Sequence, residues 1–190
     1  DVSNEKFKFR DSRRMFVGGV PAIINRISFT GELGYEIYVA PHYQLKLYEE
    51  LMEAGKEFNI KPFGGRALMS MRLEKNWGAW TLDYRPDFTA KETGLDAFIN
   101  WDKEFIGKES AQKENSSNKL VPLIVETNEI DVTNNEAVLN GDQSIGYVTS
   151  GGFAHFVNKS VAFTFVDQKN IKSENKIQVE INGDLFNCSI

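Results

Sequence analysis

The sequence predicts an α+β domain followed by a small antiparallel β-domain, either a barrel or a sandwich. In the first part, short β-type runs are followed by segments with helical periodicity. In the last third, six runs of strand length follow one another, separated by turn signals. The polar stretch Glu114–Asn118 lies between the two patterns. We therefore expect residues 1–114 and residues 115–190 to form separate domains.

The composition is that of an ordinary soluble globular protein, with 190 residues, 41% hydrophobic and 26% charged. The net charge of −5 argues against general nucleic-acid binding. Cys188 is the single cysteine, which excludes an internal disulfide and fits a reducing compartment. We expect the cytoplasm, or the mitochondrial matrix if the source is eukaryotic. Because the chain opens on the polar segment Asp1–Arg14 without Met, we expect an internal piece of a longer polypeptide.

The first domain is expected to begin with a connecting segment, Asp1–Arg14, anchored by Phe7 and Phe9. Two strands follow, Ala22–Phe29 and Gly34–Ala40, paired antiparallel. Helices are predicted over His42–Phe58 and Arg66–Asn76. Their expected core-facing residues recur at helical spacing. In the first helix they are Leu47, Leu51, Ala54 and Phe58, and in the second Ala67, Leu68 and Met71, with Lys75 as a further candidate.

The aromatic stretch Trp77–Pro86 is predicted to be an irregular binding loop. A strand is expected over Gly94–Asp102 and a short helix over Gly107–Lys113. The β-domain should contain six strands: Leu120–Glu126, Ala137–Leu139, Ser144–Thr149, Ser160–Val166, Lys176–Ile181 and Leu185–Ser189. Asn140-Gly141 and Asn182-Gly183 are predicted to be the central pairs of type I′ hairpin turns, which need positive φ at both residues.

The turn between the first two predicted strands is the best candidate for a binding site. It contains Gly31 and Gly34, two carboxylates and several aromatic rings. Carboxylate acceptors beside aromatic faces suit a flat, nitrogen-rich heterocycle. The pair Gly64-Gly65 then places backbone N–H groups and Arg66 at a helix N-terminus, which favours an anion.

Other kinds of site have little support in the sequence. His42 and His155 have no second ligand at metal-binding spacing, so no metal site is expected. The glycine pairs do not form dinucleotide-binding or Walker patterns, so nucleotide binding through them is not expected.

Three motifs in order resemble the aminomethyltransferase (glycine cleavage T-protein) family. They are Arg26-Ile-Ser-Phe-Thr-Gly-Glu-Leu-Gly-Tyr-Glu36, Gly65-Arg66 with Met71-Arg-Leu-Glu-Lys75, and Gly146-Tyr-Val-Thr-Ser-Gly151. The details look most similar to the folate-binding C-terminal portion of dimethylglycine dehydrogenases, dimethylglycine oxidases and sarcosine dehydrogenases. The resemblance implies part of a ferredoxin-like folate-binding domain, followed by the family's C-terminal β-barrel.

The resemblance also implies a tetrahydrofolate site. Glu36 falls on the family glutamate that holds the pterin ring, and Arg66 on the arginine that meets the benzoyl-glutamate end. Phe29 falls where the family more often has Tyr, and Trp77 on an aromatic that forms a wall of the site. Without the resemblance, Glu36 reads as a solvated strand residue and Arg66 as an exposed helix residue. Phe29 and Trp77 are equally consistent with core packing.

The implied activity is the transfer of a one-carbon unit from a methylated amine donor, forming 5,10-methylenetetrahydrofolate. The family's catalytic aspartate falls before the first motif, so no catalytic residue is expected in this chain, and the chain alone is expected to be inactive. FAD is expected only in a separate domain of a longer protein, and the upstream remainder of the polypeptide is the expected partner, together with the folate and the methylated amine. Two alternatives stay open: a folate-dependent demethylase of another methylated compound, and a non-catalytic folate-binding module.

Overall fold

A computed structural model describes residues 1–127, 129–171 and 176–190. The chain divides into two compact units, Asp1–Lys75 and Asn76–Ile190. The first contains mixed sheet and helix, and the second contains a β-barrel. These features confirm the predicted fold class. The domain boundary near residue 115 stays a prediction.

The first unit is built on an antiparallel sheet of order β1-β2-β3. Its strands are β1 (Ser12–Val17), β2 (Val20–Asn25) and β3 (Glu36–Tyr38). The pairing of the second and third strands was predicted and is confirmed, with Asn25 opposite Glu36. Both strands are shorter than predicted because the residues from 26 to 35 form an irregular turn.

The predicted connecting segment at the start is only partly correct. Phe7 is completely buried and packs with Ala22 and Ile24, so it anchors the segment as expected. Phe9 is 65% exposed, and the prediction that it is a second anchor was wrong. The end of the segment was also wrong, because the backbone from Ser12 pairs with β2 and belongs to β1.

The first predicted helix is confirmed. It consists of α1 (Gln44–Gly55) between single 3₁₀ turns at Pro41–Tyr43 and Lys56–Phe58. Leu47 is buried as predicted, but Phe58 is 78% exposed. The tighter 3₁₀ winding takes Phe58 off the face that an α-helix would give it.

The second predicted helix is α2 (Gly65–Glu74). Its fully buried residues are Arg72 and Leu73. The predicted stripe is only partly correct, because Leu68 and Met71 are half-buried whereas Ala67 is exposed. Burial in α2 is concentrated at its C-terminal end, whereas the residues from 65 to 67 are exposed.

In the second unit, the expected strand over Gly94–Asp102 was wrong. This segment contains a 3₁₀ turn at Asp96–Phe98, and its backbone donors bond locally, with Leu95 N–H donating to the Ala90 carbonyl at 2.7 Å. A chain whose donors are used within the same segment has none left for a sheet ladder. The short helix was predicted correctly and is α3 (Lys108–Lys113).

The β-domain is a closed antiparallel barrel of six strands within the described residues. Of the two predicted alternatives, the barrel is therefore correct and the sandwich is not. The strands are β4 (Asn118–Val125), β5 (Ala137–Asn140), β6 (Gln143–Ala154), β7 (Lys159–Asp167), β8 (Ile177–Ile181) and β9 (Asp184–Ser189). Their order is β4-β7-β6-β5-β8-β9, and β9 closes the barrel by pairing with β4. Apolar residues such as Leu123, Val148 and Val179 fill the interior.

The two hairpin turns differ. Asn182 and Gly183 both have positive φ, at 54° and 92°, as predicted for a type I′ turn. In the other hairpin Asn140 pairs with Gln143, so the central residues are Gly141 and Asp142. The predicted central pair was therefore wrong by one residue, because Asn140 belongs to β5.

Candidate functional site

The turn between β2 and β3 contacts Lys75, at the C-terminal end of α2. Gly31 has φ of 75°, and a Cβ added to it would lie 2.3 Å from Cγ of Lys75. Lys75 Nζ lies 2.7 Å from Oε1 of Glu32. Glycine is required at residue 31 both by its backbone angle and by this close approach. Glu32 therefore has a structural partner, which leaves Glu36 as the better binding candidate.

Glu36 begins β3 and is placed by the alternation of that strand. The next residue, Ile37, packs on the core with Ile24, so Glu36 and Tyr38 lie on the opposite face of the sheet. The Tyr38 hydroxyl donates to Oε2 of the half-buried Glu36. This hydrogen bond, together with the negative charge of Glu36, raises the pKa of Tyr38 above its ordinary value. The carboxylate keeps acceptor capacity beyond the Tyr38 bond, because it has two oxygens with about four lone pairs.

The aromatic residues of the turn differ in role. Tyr35 packs into the core, stacks on Phe7 with ring centroids 5.9 Å apart, and donates its hydroxyl to the Val2 carbonyl at 3.0 Å. Phe29 lies in the turn and is 36% exposed. Of these two rings, Phe29 is the one that presents surface to a ligand.

Arg66 lies in the first turn of α2 and is exposed. The residue before the helix is Gly64, which has no side chain to cap the first N–H groups. From Arg66 to Lys75 the helix rises about 13 Å, at 1.5 Å per residue. The β2–β3 turn and Arg66 therefore lie at opposite ends of α2.

Trp77 is the fourth predicted site residue, and it lies in the second unit, whereas Phe29, Glu36 and Arg66 lie in the first. It is 41% exposed and lies outside regular secondary structure. Its role as a wall of the site stays a prediction.

Side chains of the motif from Gly146 to Gly151 donate hydrogen bonds to a buried carboxylate, Asp83, which the sequence did not predict. Asp83 is completely buried and accepts hydrogen bonds from the hydroxyls of Thr149, at 2.5 Å, and Ser150, at 2.8 Å. It also accepts the N–H of Ala79 at 2.8 Å. A buried carboxylate needs such donors to offset the loss of water. No spacing in the sequence connects Asp83 to this motif, 66 residues later in the chain.

Residues that follow Asp83 also pack on the barrel. Arg85 donates to the Tyr147 hydroxyl, and the rings of Phe88 and Phe165 stack with centroids 3.4 Å apart. The motif from Gly146 to Gly151 therefore has a structural role in this chain, since its side chains hydrogen-bond to Asp83 and Arg85 of the predicted loop Trp77–Pro86.

Comparisons with known proteins identify the class. The model of the GCVT N-terminal domain matches residues 1–103, and the model of the glycine cleavage T-protein C-terminal barrel domain matches residues 118–190. The fold is that of the crystal structure of glycine cleavage system aminomethyltransferase T from Bartonella henselae, with a TM-score of 0.84 and 23% identity over 99% of this chain and 52% of that one.

Two relatives agree with this assignment. Mitochondrial dimethylglycine dehydrogenase of Mus musculus is 34% identical over the whole chain, which spans 22% of that protein. An aminomethyltransferase of Caldanaerobacter subterraneus is 34% identical over 96% of the chain, which spans 50% of that protein. The chain belongs to the glycine cleavage T-protein family and spans half or less of the length of these relatives.

The structure adds two observations on other classes of site. None of the helices it describes is long and apolar enough to cross a membrane. Within the described ranges there is also no group of three or more His, Cys, Asp or Glu side chains that could hold a metal ion.

Proposed function

We propose that this chain binds tetrahydrofolate and positions it for one-carbon transfer within a longer enzyme of the aminomethyltransferase and dimethylglycine dehydrogenase type. The observation that carries the proposal is the placement of Glu36. Its carboxylate lies on the sheet face away from the core, while Glu32 is held by Lys75. An ionised carboxylate can accept two parallel N–H bonds from an aminopyrimidine edge, as a pterin presents.

The geometry of α2 supports a ligand with two different ends. The β2–β3 turn lies against the C-terminal end of α2, and Arg66 lies in its first turn. Folate is elongated, with the pterin at one end and glutamate carboxylates at the other. A guanidinium near a helix N-terminus suits those carboxylates, because both present donors and positive charge.

Phe29 is proposed as an apolar wall of the folate site, and the same role for Trp77 follows from the family resemblance alone. Both rings are partly exposed, at 36% and 41%. The phenyl ring at residue 29 retains the aromatic face that the family provides with Tyr, but it offers no hydroxyl.

The proposed roles of these residues are binding and orientation. When bound, tetrahydrofolate supplies the amine nitrogens that accept the one-carbon unit from a methylated amine. Glu36 would fix the rotation of the pterin in its plane, and Arg66 would hold the far end. Holding a reacting group in position removes part of the entropic barrier to a reaction between two molecules. No catalytic residue is assigned within residues 1–190.

The proposal is tested by calorimetric titration of the chain, and of the longer polypeptide that contains it, with folinic acid. Glu36→Gln should weaken binding by roughly thirtyfold, because losing a charge-assisted, two-bond contact costs about 2 kcal/mol. Glu32→Gln is the matched control, since it removes the same charge from the turn just before β3, and should change the affinity less than threefold, by about 0.5 kcal/mol. Absence of heat from the longer polypeptide, or equal effects of the two variants, would reject the assignment.

A further inference from the structure

The second unit contains a cavity of about 530 Å³ between the segment around residues 89–101 and α3. Its apolar wall is formed by Ala90, Ile99 and Ala111, with Trp101 beside them. None of the residues proposed for the folate site lines it. Its volume falls in the range typical of small-molecule sites.

The lining side chains carry an excess negative charge. Asp96 and Glu114 contribute carboxylates, whereas Lys91 contributes one ammonium group. Lys91 Nζ donates to the main-chain carbonyl of Glu114 at 2.7 Å, and the Thr89 hydroxyl donates to Oε1 of Glu114 at 2.6 Å. The carboxylate of Asp96 has no hydrogen-bond or ion-pair partner in the part of the chain that the structure describes. This charge disfavours an anionic ligand and favours a cation.

Trp101 adds an aromatic surface to these carboxylates. Its ring is half-buried and lies 6.0 Å from that of Phe105, at an angle of 45°. The indole face is the aromatic surface that attracts cations most strongly. A cation with hydrocarbon substituents would contact the apolar wall and the indole while its charge lies near the carboxylates.

We propose that this cavity binds a small organic cation of the alkylammonium class. Trp101 contacts its substituents, and Asp96 and Glu114 balance its charge. A bare metal ion fits less well, because much of the wall is apolar and supplies no ligands. A neutral apolar molecule fits less well too, because it would shield the carboxylates from water without compensating their charge. This inference is independent of the folate proposal, since the two sites share no residue.

The test compares tetramethylammonium with tert-butanol, a neutral molecule of similar shape. Each is titrated into the ¹⁵N-labelled chain, with sodium chloride added to match ionic strength, and the indole N–H signal of Trp101 is followed by NMR after its assignment with Trp101→Phe. Tetramethylammonium should shift this signal saturably, and tert-butanol should leave it largely unchanged. Equal shifts from the two molecules, or no saturable shift from tetramethylammonium, would overturn the proposal.

Variants that each remove one negative charge distinguish binding of the cation in the cavity from its general electrostatic attraction to the protein. Asp96→Asn should weaken tetramethylammonium binding by about fivefold, as expected when a partly exposed cation loses one charged partner. Asp102→Asn is the matched control, because it makes the same change at an exposed residue that does not line the cavity. Glu114→Gln provides a second lining variant, and the remaining amide signals report whether each variant keeps the native fold. Equal weakening by the Asp96 and Asp102 variants would show general electrostatics and reject the site.

Discussion

Replacing Asp83 by Ala should destabilise the second unit strongly. The carboxylate is completely buried and accepts hydrogen bonds from Thr149, Ser150 and Ala79, at 2.5 to 2.8 Å. Each hydrogen bond to a charged group contributes about 1.5–3 kcal/mol, and each buried donor left without an acceptor costs about 1–3 kcal/mol. Thr149 has a second acceptor, the Phe163 carbonyl at 3.2 Å, which reduces the loss. We therefore expect a decrease in the free energy of unfolding of about 3–5 kcal/mol.

Urea unfolding of the parent and the variant, combined with hydrogen exchange of the β6 and β7 amides, measures this loss. Hydrogen exchange is needed because two compact units can unfold separately, and the barrel amides report on the second one. Asp87→Ala is the control: that carboxylate is exposed and lies 3.3 Å from Nε of Arg85, so its loss should cost about 0–1 kcal/mol. If Asp83→Ala costs no more than Asp87→Ala, the buried carboxylate does not hold the loop, and the structural role assigned to the third motif is wrong.

Three further predictions concern stability and reactivity. Gly146→Ala should cost about 1–3 kcal/mol in thermal or urea unfolding, because the new Cβ would lie 2.5 Å from the Phe165 carbonyl oxygen; a variant as stable as the parent would contradict that contact. Burial raises the pKa of Glu92, but hydrogen bonds from Ser116 and neighbouring groups lower it by more than burial raises it. The pKa of Glu92 is therefore below its ordinary value. A carboxyl whose pKa is lowered in the folded state stabilises the fold at pH values above its unfolded pKa, and this stability is lost as the pH falls through the native pKa. Glu92→Gln should therefore flatten the acid side of a curve of unfolding free energy against pH. An unchanged slope would refute this. Burial raises the pKa of Cys188 to about 12, so iodoacetamide at mildly alkaline pH should modify it far more slowly in the native chain than in urea, and equal rates would contradict its placement.

The barrel was the part of the fold most readily predicted from sequence. All six predicted strands are present, because each contains a β-type run near polar or glycine-containing turns. The predicted end of β6 at Thr149 was wrong, because the strand continues through Gly151 and Gly152 to Ala154. The strand expected over Gly94–Asp102 failed for a different reason. Its apolar residues suited a strand, but the backbone bonds into local turns, as Leu95 to Ala90 shows, and composition does not reveal that choice.

The candidate site was only partly accessible from the sequence. The motif from Phe29 to Glu36 indicated the turn, and the family resemblance selected Glu36 within it. The structure then places Glu36 on the face of β3 opposite the core. The ion pair of Glu32 with Lys75 joins residues 43 positions apart, and sequence spacing gives no signal for it. The same holds for Asp83, whose hydroxyl partners come from a distant strand.

The most direct test of the folate assignment uses two ligands that share one end. Folinic acid has both the pterin and the benzoyl-glutamate tail, whereas p-aminobenzoyl-glutamate has only the tail. Their affinities for the longer polypeptide are measured by calorimetry for the parent, Glu36→Gln and Arg66→Gln. We predict that Glu36→Gln weakens folinic acid by roughly thirtyfold and leaves the tail compound unchanged, while Arg66→Gln weakens both. If Glu36→Gln weakens both ligands equally, or neither, Glu36 does not hold the pterin.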